Sequence, residues 1–209
     1  CAFKTARGVP ALNTKESETM HVINARNVNH ALSDGLWWLK VSGLKSPSRN
    51  GAVVRSPVPV CTVYQRPQER VVWAGVRDAN PFFHFLESMW MLAGRNDVAF
   101  PVQYAKQLGE YTDDGVTFNG AYGYRWRNHF EYDQLSVIAD ELKANPASRR
   151  CVLSMWDGEE GGDLHSAIRG SKDVPCNTAA YFDVVDGALN MTVCNRSNDA
   201  VWGAYGANA

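Results

Sequence analysis

This 209-residue sequence lacks the features of membrane, secreted and metal-binding proteins. No apolar run approaches the roughly 20 residues of a membrane-spanning helix, and the first residues lack the apolar core of a signal peptide. The five cysteines are odd in number and none stand in C-x-x-C spacing. We therefore expect no disulfide framework and a reducing cytoplasmic location. The five histidines form no H-x-x-x-H pair, so we also predict no metal site.

The sequence also has almost no excess of charge of either sign. Its 21 Lys and Arg residues nearly balance 22 Asp and Glu residues, and the net charge is -1. A broad phosphate-neutralising surface is therefore excluded, and we expect no nucleic-acid partner. A local basic pocket remains compatible with this balance. The 45% apolar and 21% charged content is typical of a globular domain.

Hydrophobic patterning predicts one α+β domain over residues 20–209, preceded by a polar tail or extension over residues 1–19. Asn27 or Asn29 is predicted to cap the first helix. The predicted elements are a strand at 21–25, a helix at 28–39, a loop at 46–51, strands at 52–64 and 69–76, a helix at 81–92, a helix at 132–145, and strands at 150–156, 178–185 and 189–194. A tight hairpin is predicted at Asp186-Gly187, and a polar excursion at 157–173.

Glu87 lies in the middle of the predicted helix that Asn80-Pro81 opens and Gly94 ends. This helix is apolar almost all round, so we expect it to be buried. An ionised carboxylate there costs several kcal/mol unless it is paired. Glu87 is therefore predicted to be a general acid or base with a raised pKa. The alternative is a helix face that emerges into solvent.

Cys176 lies in Asp173-Val-Pro-Cys-Asn-Thr178, directly before a predicted apolar strand. A cysteine after a proline at a strand edge is well positioned, and nearby arginines favour the reactive thiolate. We therefore consider Cys176 a candidate nucleophile. The alternative is a small buried apolar residue, as most single cysteines are.

Two arginine motifs are candidate anion-binding sites. Arg196 and Ser197 come at the end of a predicted strand, where they could bind a phosphate through charge-assisted hydrogen bonds. Asp199 could then accept from an amide or ring N–H. The alternative is a surface turn with an ordinary Arg–Asp pair. Arg149 and Arg150 form a second site.

Arg49, in its Gly/Ser-rich segment, is the third arginine site, and together the three suggest a focused anion pocket. The alternative is that they are separate, solvated surface arginines. Residues 120–127 are aromatic, basic and rich in glycine. They fit a pocket wall with Tyr122 as a phenol donor better than a nucleic-acid stacking surface.

Taken together and in order, these motifs resemble the thymidylate synthase family, including its pyrimidine nucleotide hydroxymethylases. The resemblance runs from the first predicted helix to the last residue. It rests on Ser48-Arg-Asn-Gly51, Glu87-Ser-Met-Trp-Met-Leu-Ala-Gly94, Tyr122-Gly-Tyr-Arg-Trp-Arg127, Ser148-Arg-Arg150, Pro175-Cys176, and Arg196-Ser-Asn-Asp199 with Gly203. It implies a mixed sheet packed by helices and a sheet-to-sheet homodimer.

The resemblance also implies the chemistry. Cys176 would add to C6 of a pyrimidine nucleotide and make C5 nucleophilic towards 5,10-methylenetetrahydrofolate. Glu87 would move protons through water, and Tyr122 would assist proton removal at C5. The remaining implied roles are phosphate binding by Arg49, Arg196 and Ser197, folate contacts by Glu87, Asp199 and Gly203, and contacts to the partner's site by Arg149 and Arg150.

Departures from the family pattern cluster at the base edge. Asn177 replaces the histidine that follows the nucleophile in thymidylate synthases, and Ala207 stands where the base-reading asparagine is expected, with Asn208 one residue later. We expect Asn177 and Asn208 to contact the base, and an amide is compatible with cytosine or uracil. We also expect the family's C-terminal part to be missing after Ala209.

These departures favour hydroxymethyl transfer to CMP, dCMP or dUMP. Methyl transfer to dUMP is the alternative, and a nucleotide-binding protein without turnover is a third interpretation.

Overall fold

A computed structural model of the protein describes residues 19–48 and 51–207. Its mixture of helices and sheets confirms the α+β class. Apart from residue 19, the predicted N-terminal tail lies outside the described residues. The chain divides into two compact units, residues 1–70 and residues 71–209. Among the residues described, no helix combines the length and apolar character needed to cross a membrane.

The first unit contains one helix and two separate two-stranded sheets. Its elements are β1 (His21–Ala25), α1 (Val28–Ser42), β2 (Leu44–Ser48), β3 (Gly51–Arg55) and β4 (Val60–Tyr64). β1 and β4 pair in parallel, whereas β2 and β3 are antiparallel. Buried side chains of β1 and α1, including Ile23, Ala31 and Leu32, form the core of this unit.

Asn27 caps α1 and is one of the two capping residues that the sequence predicts. Its Oδ1 accepts hydrogen bonds from the backbone N–H groups of Asn29 at 3.1 Å and His30 at 3.3 Å. Its Nδ2 donates to Glu69 at 2.8 Å, and Glu69 also pairs with Arg26 at 2.7 Å. The two partners and the Arg26 charge lower the pKa of Glu69 to about 2. These hydrogen bonds connect the start of α1 to Glu69, near the end of the first unit.

Three predictions for this region are wrong in part. Residues 46–48 and 51 of the predicted loop belong instead to β2 and β3, which pair in an antiparallel sheet, and residues 49–50 lie outside the described residues. The predicted strand at 52–64 is interrupted at Pro57 and Pro59, because proline cannot donate to a sheet ladder. Residues 69–76 form no strand, and Gly75–Arg77 is a 3₁₀ turn. Valine content favours strands only where a neighbouring strand is available.

The second unit contains the remaining helices and a three-stranded antiparallel sheet. Its main elements are α2 (Pro81–Leu92), α3 (Tyr122–Arg127), α4 (Gln134–Ala144), β5 (Val152–Ser154), α5 (Asp163–Ile168), β6 (Asn177–Val185) and β7 (Ala188–Asn195), with 3₁₀ turns at Pro101–Gln103 and Lys106–Tyr111 and a π-helix at Ala200–Ala207. The strands follow the order β5-β6-β7. None of the described sheets is mixed, unlike the sheet that the resemblance implies: β1 and β4 pair in parallel, whereas β2–β3 and β5-β6-β7 are antiparallel.

α2 begins and ends where the sequence predicts. Asn80 accepts hydrogen bonds from the N–H groups of Phe82 and Phe83, and Gly94 takes a positive φ of 66° beyond the helix. The prediction that the helix is buried is wrong. Trp90 packs into a core cluster, but Phe82 and Phe85 are 78% and 65% exposed, because this cluster lies against only one face of the helix.

The sheet of the second unit forms largely as predicted. β6 and β7 are joined by the expected tight turn, in which Asp186 and Gly187 have φ values of 50° and 75°. Leu153 of β5, Met155 directly after that strand and Ile138 of α4 belong to a buried cluster. The predicted polar excursion at 157–173 contains α5, which the sequence analysis did not predict.

Candidate active site

A cavity of about 250 Å³ lies in the second unit, between α2, the start of α3 and the segment that leads into β6. Its lining is mostly apolar and aromatic. The lining residues are Glu87, Trp90, Met91, Pro101, Leu108, Phe118, Gly120, Ala121, Tyr122, Asp173, Val174, Pro175 and Cys176. The fold therefore brings together three predicted catalytic residues, Glu87, Tyr122 and Cys176.

Cys176 is half-buried and directly precedes β6. Its carbonyl accepts a hydrogen bond from the backbone N–H of Arg196 at 3.0 Å. The Arg196 guanidinium donates to the carbonyls of Pro175 and Val174, each at 2.9 Å, and its Cζ lies 5.4 Å from the ring centroid of Trp156. Three hydrogen bonds from one arginine thus fix the loop that carries the thiol, and they place a positive charge beside that loop.

Glu87 is half-buried on the face of α2 that meets the cavity. Burial among apolar groups raises the pKa of its carboxyl to about 7. No hydrogen bond or ion pair to this carboxyl is formed by the part of the chain that the structure describes. A carboxyl that titrates near neutral pH inside a cavity is suited to general acid–base chemistry.

Asp173 is a site residue that the sequence analysis missed. Its carboxylate accepts a hydrogen bond from the backbone N–H of Gly120 at 2.8 Å, two residues before Tyr122. Burial raises the pKa of the Asp173 carboxyl. The sequence signal for Asp173 is its position three residues before Cys176, within the motif Asp173-Val-Pro-Cys-Asn-Thr178.

Seven other predicted site residues that the structure describes do not line the cavity: Arg149, Arg150, Asn177, Arg196, Ser197, Asp199 and Gly203. Arg149 and Arg150 are exposed before β5, and neither forms an ion pair with the residues described here. Ser197 is exposed directly after Arg196. Asn177 begins β6, and its buried Oδ1 accepts no hydrogen bond from the residues that the structure describes. An orphaned buried oxygen next to the nucleophile is available to an N–H donor of a ligand.

Asp199 and Gly203 both belong to the turn that starts the π-helix Ala200–Ala207. Oδ1 of Asp199 accepts from the N–H groups of Val201 at 2.8 Å and Trp202 at 2.7 Å, and its carbonyl accepts from Gly203 at 2.9 Å. One oxygen of Asp199 therefore caps the helical segment. Arg49 and Asn208 lie outside the described residues.

Comparison with known proteins places these features in a family. A model of the thymidylate synthase family matches residues 43–206. Deoxyuridylate hydroxymethyltransferase of Pseudomonas phage M6 is 54% identical over 191 residues, which cover 91% of this chain and 53% of that protein. The protein of the same name from Bacillus phage SP01 is 38% identical over 169 residues, covering 76% of this chain and 43% of that protein.

The chain therefore spans about half the length of the curated relatives it matches. Among solved structures, thymidylate synthase from T4 phage aligns with a TM-score of 0.45 and 21% identity, over 60% of this chain and 47% of that one.

Proposed function

The chain belongs to the thymidylate synthase family, and on that basis we propose that the protein transfers a hydroxymethyl group to C5 of deoxyuridylate, with 5,10-methylenetetrahydrofolate as co-substrate. The observation that carries this proposal is the shared cavity of Cys176 and Glu87, a nucleophile beside a carboxyl that titrates near neutral pH. The sequence left cytosine and uracil open. The names of two phage relatives favour uracil.

Cys176 has the role of making C5 nucleophilic. Its thiolate electron pair forms a bond to C6 of the pyrimidine, and the π electrons of the C5=C6 bond move onto C5 and the C4 carbonyl. The folate supplies a one-carbon unit at the oxidation level of formaldehyde. C5 bonds to this carbon as the bond from the carbon to one folate nitrogen breaks, and loss of the C5 proton breaks the second carbon–nitrogen bond, so that tetrahydrofolate leaves. Water adds at the exocyclic carbon while Cys176 departs as the thiolate, which gives a hydroxymethyl group without any oxidation or reduction.

Glu87 and Tyr122 are the proton-handling residues of the proposal. Because the pKa of Glu87 is about 7, both of its protonation states are populated at neutral pH, so it can pass protons to and from water in the cavity. Tyr122 lines the same cavity at the start of α3. We assign its phenol to the proton that leaves C5.

The apolar lining of the cavity supports the proposed binding of flat substrate rings. Trp90, Phe118 and Leu108 provide an apolar wall on which a ring system packs. Among the carboxylates, Glu87 and the second oxygen of Asp199 would accept hydrogen bonds from folate ring N–H groups, with Gly203 close by in the chain. The proposed base contacts are Asn177 and Asn208, and the proposed phosphate contacts are Arg49, Arg196 and Ser197.

A homodimer is part of the proposal. Arg149 and Arg150 are exposed, and no described residue forms an ion pair with them, as expected of groups that reach a partner's phosphate site. β6 and β7 expose the large apolar side chains of Tyr181, Leu189 and Met191, which are 48%, 64% and 62% accessible. Exposed apolar groups on adjacent strands are typical of a surface that another subunit covers.

The test uses deoxyuridylate labelled with tritium at C5, methylenetetrahydrofolate and the full-length protein. We expect tritium release, a product heavier by one CH₂O unit, and no rise in dihydrofolate absorbance. Cys176→Ser should abolish release, whereas Cys194→Ser, at an exposed cysteine of β7, should not.

Three results would contradict the proposal in different ways. A methyl product with dihydrofolate would indicate thymidylate synthesis. Release from dCMP or CMP but not from deoxyuridylate would overturn the choice of base. Absence of release from all three nucleotides would contradict the enzymatic function itself.

A further inference from the structure

Asp173 connects the loop that carries Cys176 to the segment that carries Tyr122. Its carboxylate Oδ2 accepts from the Gly120 N–H at 2.8 Å, and its backbone carbonyl accepts from Nδ2 of Asn119 at 3.0 Å. Two hydrogen bonds therefore join residues 119–120 to a point three residues before the nucleophile. Tyr122 follows two residues later and begins α3.

The contact between Asp173 and Gly120 is closely packed. A Cβ atom on Gly120 would lie 2.6 Å from Oδ1 of Asp173, well inside van der Waals distance. Glycine at this position therefore permits the carboxylate to approach the backbone. On the other side of the segment, Arg125 donates to the carbonyl of Asn119 at 3.0 Å and 2.9 Å.

The loop that carries Cys176 is held by a different set of hydrogen bonds. The backbone and guanidinium of Arg196 bind the carbonyls of Cys176, Pro175 and Val174. None of these bonds involves the Asp173 side chain. Loss of the Asp173 carboxylate removes the hydrogen bond at Gly120 but keeps the one from Asn119 to the Asp173 carbonyl. The start of α3 should therefore shift, while the thiol keeps its place before β6.

We propose that Asp173 is a positioning residue, which sets Tyr122 against C5 of the nucleotide while Cys176 is bonded to C6. This inference rests on the proposed function, since it concerns the proton-removal step of that reaction. A misplacement of about 1 Å at a reacting group costs on the order of 100-fold in rate. This role requires only a hydrogen-bond acceptor for the Gly120 N–H. The side-chain amide of asparagine should therefore substitute for the carboxylate.

The test separates addition of the thiol from removal of the C5 proton. Adduct formation is measured by intact mass with 5-fluorodeoxyuridylate and methylenetetrahydrofolate, because fluorine at C5 cannot leave as a proton. Proton removal is measured by tritium release from deoxyuridylate. For Asp173→Ala we expect roughly 10–100-fold slower tritium release and an adduct yield close to that of the wild type. Asp173→Asn should restore most of the release.

Gly120→Ala provides a second variant if Asp173→Ala does not fold, since the added methyl group displaces the same carboxylate. Gly120→Ala should likewise slow tritium release while the adduct yield stays close to that of the wild type. Circular dichroism and thermal unfolding identify variants that fold.

Each remaining outcome has a definite meaning. Folded variants that lose adduct and release together would show a structural role and overturn the inference. Variants with normal release would also overturn it, while the proposed function stands. A wild-type protein that forms no adduct and releases no tritium would instead contradict the proposed function, and this inference with it.

Discussion

Arg125 and Asp163 form a buried, two-pronged ion pair. Nη1 of Arg125 lies 2.7 Å from Oδ2 of Asp163 and Nη2 lies 2.9 Å from Oδ1, and the side chains are 1% and 2% exposed. Arg125 also donates to the carbonyl of Met155 at 2.8 Å. The pair joins α3, which begins with Tyr122, to α5 in the polar excursion. The ion pair therefore connects the helix that contributes Tyr122 to the cavity with the polar excursion.

We predict that Asp163→Ala lowers the free energy of unfolding by about 3–5 kcal/mol, because it leaves the Arg125 guanidinium buried without a counter-charge. Urea unfolding followed by tryptophan fluorescence measures the change. The matched control is Asp140→Ala, which removes a mostly exposed partner of Lys143 on α4 and should leave the urea midpoint nearly unchanged. A loss below about 1 kcal/mol for Asp163→Ala would contradict the assigned role.

Local signals predicted much of the second unit. Asn80-Pro81 and Gly94 define α2 because helix caps depend on side chains within a few residues of the helix end. Asp186-Gly187 predicts the β6–β7 turn because its backbone needs positive φ values. Cys176 and Glu87 could be identified as candidates from their immediate neighbours, without knowledge of the fold.

Long-range relationships could not be predicted in this way. Arg125 and Asp163 are 38 positions apart, and nothing in either local sequence indicates its partner. Asp173 belongs to the motif around Cys176, but its hydrogen-bond partner Gly120 lies 53 positions away and could not be predicted from that motif. The valines of residues 69–76 suggested a strand because composition does not reveal whether a neighbouring strand exists.

The rate of the reaction should depend on the ionisation of Glu87. If Glu87 acts as a base, kcat should rise as the pH increases through about 7 and level off above it, since burial has raised the pKa of this carboxyl to that value. Glu87→Gln should lower kcat by roughly 10²–10⁴-fold and remove this rise. Rate profiles between acid and alkaline pH test both points. An unchanged profile in Glu87→Gln would assign the titration to another group.

Glu87 should also make folding stability pH-dependent, in the direction opposite to that of a salt-bridged carboxylate. Its pKa rises from 4.5 to about 7 on folding, so the folded state binds more protons between these values. Stability should therefore fall as the pH increases through this window and level off above about 7. Above that pH, Glu87→Gln should be more stable than the wild type by on the order of 3 kcal/mol.

Urea unfolding at several pH values measures this effect. The matched control is Glu110→Gln, at an exposed glutamate, which should keep the wild-type pH dependence. If Glu87→Gln showed no gain in stability at alkaline pH, the carboxyl would have to be ionised without cost in the cavity.

The proposed role of Arg149 and Arg150 predicts complementation between two inactive proteins. Cys176→Ser lacks the nucleophile, and the double variant Arg149→Ala/Arg150→Ala lacks the arginines given to the partner. In a mixed dimer, the site with an intact Cys176 receives intact arginines from its Cys176→Ser neighbour. Random reassociation makes half of the dimers mixed, so about a quarter of all sites should become active.

Tritium release, measured after dilution, mixing and reconcentration, tests this expectation. If the arginines served their own subunit, no combination of these two proteins would contain a complete site, and the mixture would stay inactive. The matched control replaces the double variant with Glu87→Gln/Arg149→Ala/Arg150→Ala. There the only site with an intact Cys176 also lacks Glu87, so mixing should restore no more than the residual rate of Glu87→Gln. Recovery with the first pair alone would place the arginines of one protomer in the site of its partner.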